Sequence, residues 1–247
     1  KLIQYAYWIM QSHPKWRVIN QGINGERSDQ ILARFDTSVS RHRPDVVVVL
    51  AGVNDLHQGV PVEPIIRNLK EIYGRAAAAR IRVVACSILP YNGMSPSVQT
   101  RMPKVNAWIK WFSESNGLAF CALFHVMENP ARPGTLAATA DGLHPDVAGY
   151  RQMAQAIAAA IEEARVVPLP PAAAAIEGGH PKPPASGGQA WEPTRPFRAA
   201  WWGAGPHQQT VWTALLRPSP GVPLSRERWE TPDGDFLDLD RLEGPPG

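Results

Sequence analysis

Residues 45–52 read DVVVVLAG, with four β-branched side chains in succession and no polar residue among them. A strand with one wet face alternates apolar and polar residues. An unbroken valine run suits a strand covered on both faces, the position found in parallel sheets sandwiched by helices. "IRVVACS" (81–87) has the same character, and "RVIN" (17–20) and "LAFCALF" (118–124) add two more strand-like runs. Between them the period changes to that of a helix. Residues 61–80 open with Pro61 and Pro64 and set Ile65, Ile66, Leu69, Ile72 and Tyr73 on one face. Residues 101–116 do the same with Val105, Trp108, Ile109 and Phe112, and Gly117 suits a C-cap. Residues 146–165 place Val147, Tyr150, Ala154, Ile157 and Ile161 at spacings of three and four. Strand–helix alternation of this kind predicts an α/β fold with helices on both faces of a parallel sheet, and ligands bound beyond the carboxyl ends of the strands.

The composition then divides the chain. Residues 1–166 hold all of this alternation. Residues 167–190, "VVPLPPAAAAIEGGHPKPPASGGQ", are too rich in Pro, Ala and Gly to bury a core and read as a linker. Residues 191–247 carry Trp191, Trp201, Trp202, Trp212 and Trp229 among many prolines, and "TPDGDF" reads as a turn between two strand-like pieces. No run approaches the roughly 20 apolar residues of a membrane span. "KLIQYAYWIMQSHPKW" lacks the pattern of a signal peptide, which leaves a slight preference for the cytoplasm. Cys86 and Cys121, the two cysteines, both lie in apolar runs and read as small buried side chains, not as a disulfide or metal site. The net charge of +3 is spread along the chain without the basic clustering of a nucleic-acid surface.

Three segments follow predicted strands. "VINQGINGERSDQ" (18–30) contains Gly22 and Gly25, which permit a tight turn and leave backbone N–H groups bare. "LAGVNDL" (50–56) sets the Asn54 carboxamide at the sheet edge. "DGLHPD" (141–146) sets Asp141 and His144 just before the last helix. Taken singly, each also fits an ordinary strand-end turn, a helix cap or a surface histidine. Brought to one edge, they supply two hydrogen-bond donors and an oriented base, the set that acyl transfer through a tetrahedral oxyanion requires.

"NQGINGE", "GVND" and "DGLHP", in this order and separation, resemble the second, third and fifth blocks of the SGNH (GDSL-type) esterase and lipase family. The resemblance spans nearly all of residues 1–166. It implies a three-layer αβα, flavodoxin-like fold without metal or cofactor, and cleavage of small-molecule esters. It also implies that Gly25 and Asn54 line the oxyanion hole, that His144 is the general base and that Asp141 is its partner. The family's nucleophile is the Ser of a Gly-Asp-Ser block on the first strand, and that tripeptide does not occur here. As one converging unit with the other blocks, it would fall roughly ten residues before Lys1. Residues 2–9 suit the helix that follows this block. Loss of that strand, central in flavodoxin-like order, would leave backbone groups unpaired between two neighbours.

Among the residues present, Ser87 has the best position for a substitute nucleophile, with Cys86 before it. Neither matches the family's position, no Gly-x-Ser-x-Gly elbow exists, and Ser28 reads as part of a helix start. The tail, "PFRAAWWGAGPHQQTVW" and then "RERWETPDGDFLDLD", resembles the N-terminal end of YheT-like α/β-hydrolases. Both ends of the chain therefore read as cut, from a partial reading frame or a natural fusion. The competing readings are a non-catalytic α/β module that holds a small ligand and, for the tail, a Trp/Pro-rich extension that binds a partner.

Overall fold

The computed structural model describes residues 4–167, Leu169 and three strands of the tail. In chain order the elements are α1 (Tyr5–Ser12), β1 (Ile19–Asn20), α2 (Ser28–Ala33), α3 (Phe35–Ser38), β2 (Val46–Val49), α4 (Val53–His57), α5 (Val62–Ala78) and β3 (Arg82–Cys86). There follow α6 (Pro96–Ser115), β4 (Ala119–Cys121), α7 (Leu123–Met127), α8 (Val147–Val166), β5 (Trp212–Ala214), β6 (Leu224–Glu230) and β7 (Phe236–Leu242).

The valine run is β2, buried along its whole length. Because successive side chains of a strand point to opposite faces, it feeds two cores. Val47 and Val49 pack with Val83, Ala85, Ile65, Leu69, Trp108 and Ile109, on the side of α5 and α6. Val46 and Val48 pack with Val84, Tyr5, Ile9, Ile157 and Ile161, on the side of α1 and α8. This is the expected three-layer αβα arrangement.

β2, β3 and β4 are parallel and in register, with Val49 opposite Ala85 and Cys86 opposite Cys121. The sheet order is β1-β5-β2-β3-β4. β5 is antiparallel both to β1 (Ile19 with Ala214, Asn20 with Thr213) and to β2 (Val47 with Ala214, Val49 with Trp212). β1 therefore runs parallel to β2, and the four strands of residues 1–166 all end at one edge. The place between β1 and β2, expected to lack a strand, is taken by backbone from the tail, so the sheet is mixed. β6 and β7 form a separate antiparallel pair with Glu230 opposite Phe236; residues 231–235, where the sequence reading sets a turn, lie outside the described residues. Most of the 167–190 linker, and the rest of the tail on which the likeness to α/β-hydrolases rests, lie outside the described residues.

Several boundaries differ from the sequence reading, each for a local reason. α6 starts at Pro96, five residues earlier than expected, because Ser95 caps it: the Ser95 Oγ accepts from the Val98 N–H at 3.3 Å, and Pro96 lacks the N–H that a first turn leaves unused. The run 118–124 yields only a three-residue β4, since Leu123 already begins α7. Val53–His57, in and just past the segment read as following the second strand, form the short helix α4. Cys86 and Cys121 are buried free thiols, and burial pushes the Cys86 thiol up.

Two measurements test this architecture. Ile157, fully buried between α8 and the sheet, should cost about 3 kcal/mol of unfolding free energy as Ile157→Ala in urea titration. Thr213→Pro removes a backbone donor from the strand between β1 and β2. It should cost roughly 1–3 kcal/mol and strip hydrogen-exchange protection from the Val47–Val49 amides. Unaltered protection there would show that β5 does not pair with β2.

Candidate active site

The loop after β1 turns at Gly25, where φ is +77°, a left-handed conformation that favours glycine. The next residue, Glu26, gives its carbonyl to the Asn54 side chain, whose Nδ2 donates to it at 2.9 Å. Asn54 is buried at the second position of α4. A second tie starts from the next residue of α4. The Asp55 carboxylate accepts from the Ser28 N–H at 2.9 Å and from the Ser28 Oγ at 2.5 Å, and the Asn68 Nδ2 donates to that Oγ at 3.0 Å. Burial raises the Asp55 carboxyl above its ordinary value, while the Ser28 bonds pull it down. A third tie runs from Arg27 Nη1 to Gln58 Oε1 at 3.0 Å. Gly25 and Asn54 are thus brought together by hydrogen bonds between the loops after β1 and β2.

Asp141 and His144 meet in the loop before α8. His144 Nδ1 lies 2.7 Å from Asp141 Oδ2. An ionised carboxylate only accepts, so Nδ1 carries the proton and Nε2 presents its lone pair. Asp141 Oδ1 is held in turn by the backbone N–H groups of Leu143 at 2.8 Å and His144 at 2.7 Å. Burial opposes its ionisation, but the bonds from the His144 ring, the His144 N–H and the Leu143 N–H outweigh burial and hold the carboxyl well below the usual range. Thr139 completes the turn: its Oγ accepts from the Gly142 N–H at 2.9 Å and donates to the His144 carbonyl at 2.7 Å. Gly142 has φ +77°, and a Cβ there would sit 3.0 Å from the Asn92 side chain, so conformation and space both favour glycine. Asp146 then caps α8 by accepting from the Gly149 N–H at 2.9 Å.

The loop after β3 bridges the two halves. Asn92 donates its N–H to the Gly142 carbonyl at 2.6 Å and accepts at Oδ1 from the Leu136 N–H at 3.0 Å. At the other end of this connection, Arg101 in α6 donates to the Leu56 carbonyl at 2.8 Å and the Val60 carbonyl at 2.5 Å, where α4 ends. Gly25, on the loop after β1, and Asn54, in α4 just past β2, stand at the carboxyl edge of the parallel strands, and the loop with Asp141 and His144 is tied at Gly142 to Asn92 in the loop after β3. Ser87 is 2 % exposed, and its Oγ accepts from the Phe124 N–H at 2.8 Å, a tie between the end of β3 and α7. Ser28 opens α2, as read from the sequence, with the Asp55 bonds in addition. Among the described residues no three His, Cys, Asp or Glu side chains gather as a metal site.

The sequence reading missed Glu26, Arg34, Asp55 and Thr139. Thr139 carried a signal, a hydroxyl residue two places before an Asx turn. The others act across 8 to 28 residues of chain, a separation that periodicity cannot report.

Residues 4–152 match the GDSL-like Lipase/Acylhydrolase family. The chain belongs to that family. Its similarity to an acetylxylan esterase of Geobacillus stearothermophilus is 26% identity over 157 residues, covering 57% of this chain and 69% of the esterase. Among solved structures, a GDSL-like lipase from Bacteroides thetaiotaomicron is 28% identical with a TM-score of 0.53, over 57% of this chain and 73% of the lipase. A solved acetylxylan esterase from Geobacillus stearothermophilus, at 22% identity and TM-score 0.53 over 64% of this chain and 78% of that one, shares the fold. Membership places the GDSL-like chain among ester and acyl hydrolases, whose substrates are small-molecule esters. No helix among its described residues is long and apolar enough to cross a membrane.

The depressed Asp141 carboxyl has a consequence in acid. A carboxyl lowered in the folded state stabilises its turn above the unfolded-state pKa of about 4, and the gain is lost as pH falls from there. The Leu143 and His144 amides, corrected for intrinsic exchange, should keep constant protection above pH ~5 and lose it below pH ~4. Asp141→Asn should flatten this dependence.

Proposed function

We propose that this GDSL-like chain carries the base, its orienting carboxylate and the oxyanion donors of a serine ester hydrolase, and that the nucleophilic serine is not among its 247 residues. The observation that supports this reading is the 2.7 Å contact between His144 Nδ1 and Asp141 Oδ2, an arrangement that suits Nε2 to act as the base.

With a serine supplied at that edge, Nε2 takes the Oγ proton as Oγ attacks the acyl carbon. The carbonyl π pair moves onto oxygen, and the Gly25 N–H and the Asn54 amide donate to the oxyanion. As the tetrahedral intermediate collapses, the imidazolium returns the proton to the departing alkoxide, and the alcohol leaves. Water, deprotonated by the same Nε2, then attacks the acyl-enzyme, and the acid and free serine are released. Asp141 keeps the ring tautomer and stabilises the imidazolium throughout. The acetylxylan esterase relative supports acetyl and other short acyl esters as the substrate class. The family match ending at residue 152 and α8 ending at Val166 support a hydrolase region of 1–166, followed by the 167–190 linker and the 191–247 tail.

The chain as it stands should not turn over p-nitrophenyl acetate and should not react with a fluorophosphonate. Supplied upstream with the Gly-Asp-Ser segment, it should gain turnover, and His144→Ala should lower kcat about 10⁴-fold. Full activity in that variant, or clean fluorophosphonate labelling at Ser87, would refute the assignment.

A further inference from the structure

Arg34, at the end of α2, is not one of the site residues read from the sequence. Its guanidinium grips both ends of the loop that carries Gly25. Nη2 donates to the Gln21 carbonyl at 2.8 Å, where the loop leaves β1. Nε and Nη2 together engage the Glu26 carboxylate, at 2.9 and 2.5 Å. Nη1 donates to the Ser38 Oγ at 2.8 Å, which fixes the guanidinium to α3. Both side chains are largely withdrawn from water, at 17% exposure for Arg34 and 14% for Glu26, so the pair is screened less than a surface bridge.

Glu26 has two roles in this arrangement. Its side chain is held by Arg34, while its carbonyl holds Asn54 Nδ2. Its amide nitrogen belongs to the peptide that follows Gly25. Any swing of Glu26 therefore moves the Gly25 turn and the Asn54 carboxamide together. A bidentate Arg–carboxylate fork fixes both position and plane, which a lysine ammonium cannot reproduce.

We infer that Arg34 is the positioning residue of the oxyanion hole, acting through Glu26 to hold the Gly25 N–H and the Asn54 amide at their mutual distance. The inference rests on the ester-hydrolase reading, and its consequence is selective. Loss of Arg34 acts on the oxyanion donors and leaves the His144–Asp141 turn, held by Thr139, the Leu143 and His144 amides and Asn92, in place. A donor displaced by about 1 Å costs rate in the transition state more than affinity in the ground state.

The test begins with the 247-residue chain itself, isotope-labelled for amide NMR. In Arg34→Ala, the Gly25 N–H and Asn54 Nδ2 resonances should shift and broaden, while those of Val84, Phe120 and Leu143 stay. Millimolar methylguanidinium should restore them; Arg34→Lys should not behave as wild type. Unmoved Gly25 and Asn54 signals would overturn the inference. Should Arg34→Ala fail to fold, Glu26→Gln decides, since it keeps the side-chain size and weakens the fork: the same two signals must move. In the chain supplied with the upstream serine segment, Arg34→Ala should lower kcat roughly tenfold to a hundredfold with KM held within about twofold, and methylguanidinium should recover part of the loss. An unchanged kcat overturns the inference. Absence of turnover in the parent of that pair overturns the ester-hydrolase reading instead, and the NMR result then stands by itself for the tether.

Discussion

Burial of β2 on both faces is the constraint from which the remaining architecture follows. Val46 and Val48 look one way and Val47 and Val49 the other, and each pair must be covered. Helices therefore lie on both sides of the sheet, and each connection between parallel neighbours must cross over a face before returning to the starting edge. The strand ends collect along one edge, and the loops that leave them are thrown into proximity. Glu26 meets Asn54, and the Asn92 turn meets Gly142, because of this topology.

Within that neighbourhood, two kinds of order are at work. The His144–Asp141 unit is local: a three-residue separation, an Asx turn, Thr139 beneath it and a capped helix behind it. The Gly25–Asn54 unit is nonlocal and depends on bonds that span 27 and 28 residues, from Asp55 to Ser28 and from Asn54 to Glu26. Such bonds form only after the sheet and its helices have assembled.

The tail adds a different lesson. β5 joins the sheet by backbone pairing, and its antiparallel direction does not hinder it, since a strand between two neighbours offers N–H and C=O groups to both. Sequence patterns report side chains, and a short segment far along the chain gives no side-chain signal for where its backbone will pair. The fold relationship to GDSL-like hydrolases, by contrast, is carried by the side-chain pattern of residues 4–152.

The main strand–helix alternation of residues 1–166, the covering of the sheet on both faces, the burial of Cys86 and Cys121 and the closeness of Asp141 and His144 were legible in the sequence. They depend on short-range periodicity, on hydrophobic content and on a motif only a few residues long. The family motifs likewise marked Gly25 and Asn54. Tertiary structure alone decided the short helix that carries Asn54, the tie from Asn54 to Glu26, the Arg34 fork, the withdrawal of Ser87 into a backbone contact with Phe124, and the entry of Trp212–Ala214 between β1 and β2. Each joins groups far apart along the chain, whose pairing follows from where the packed layers bring them and leaves no periodic trace in the order of the residues.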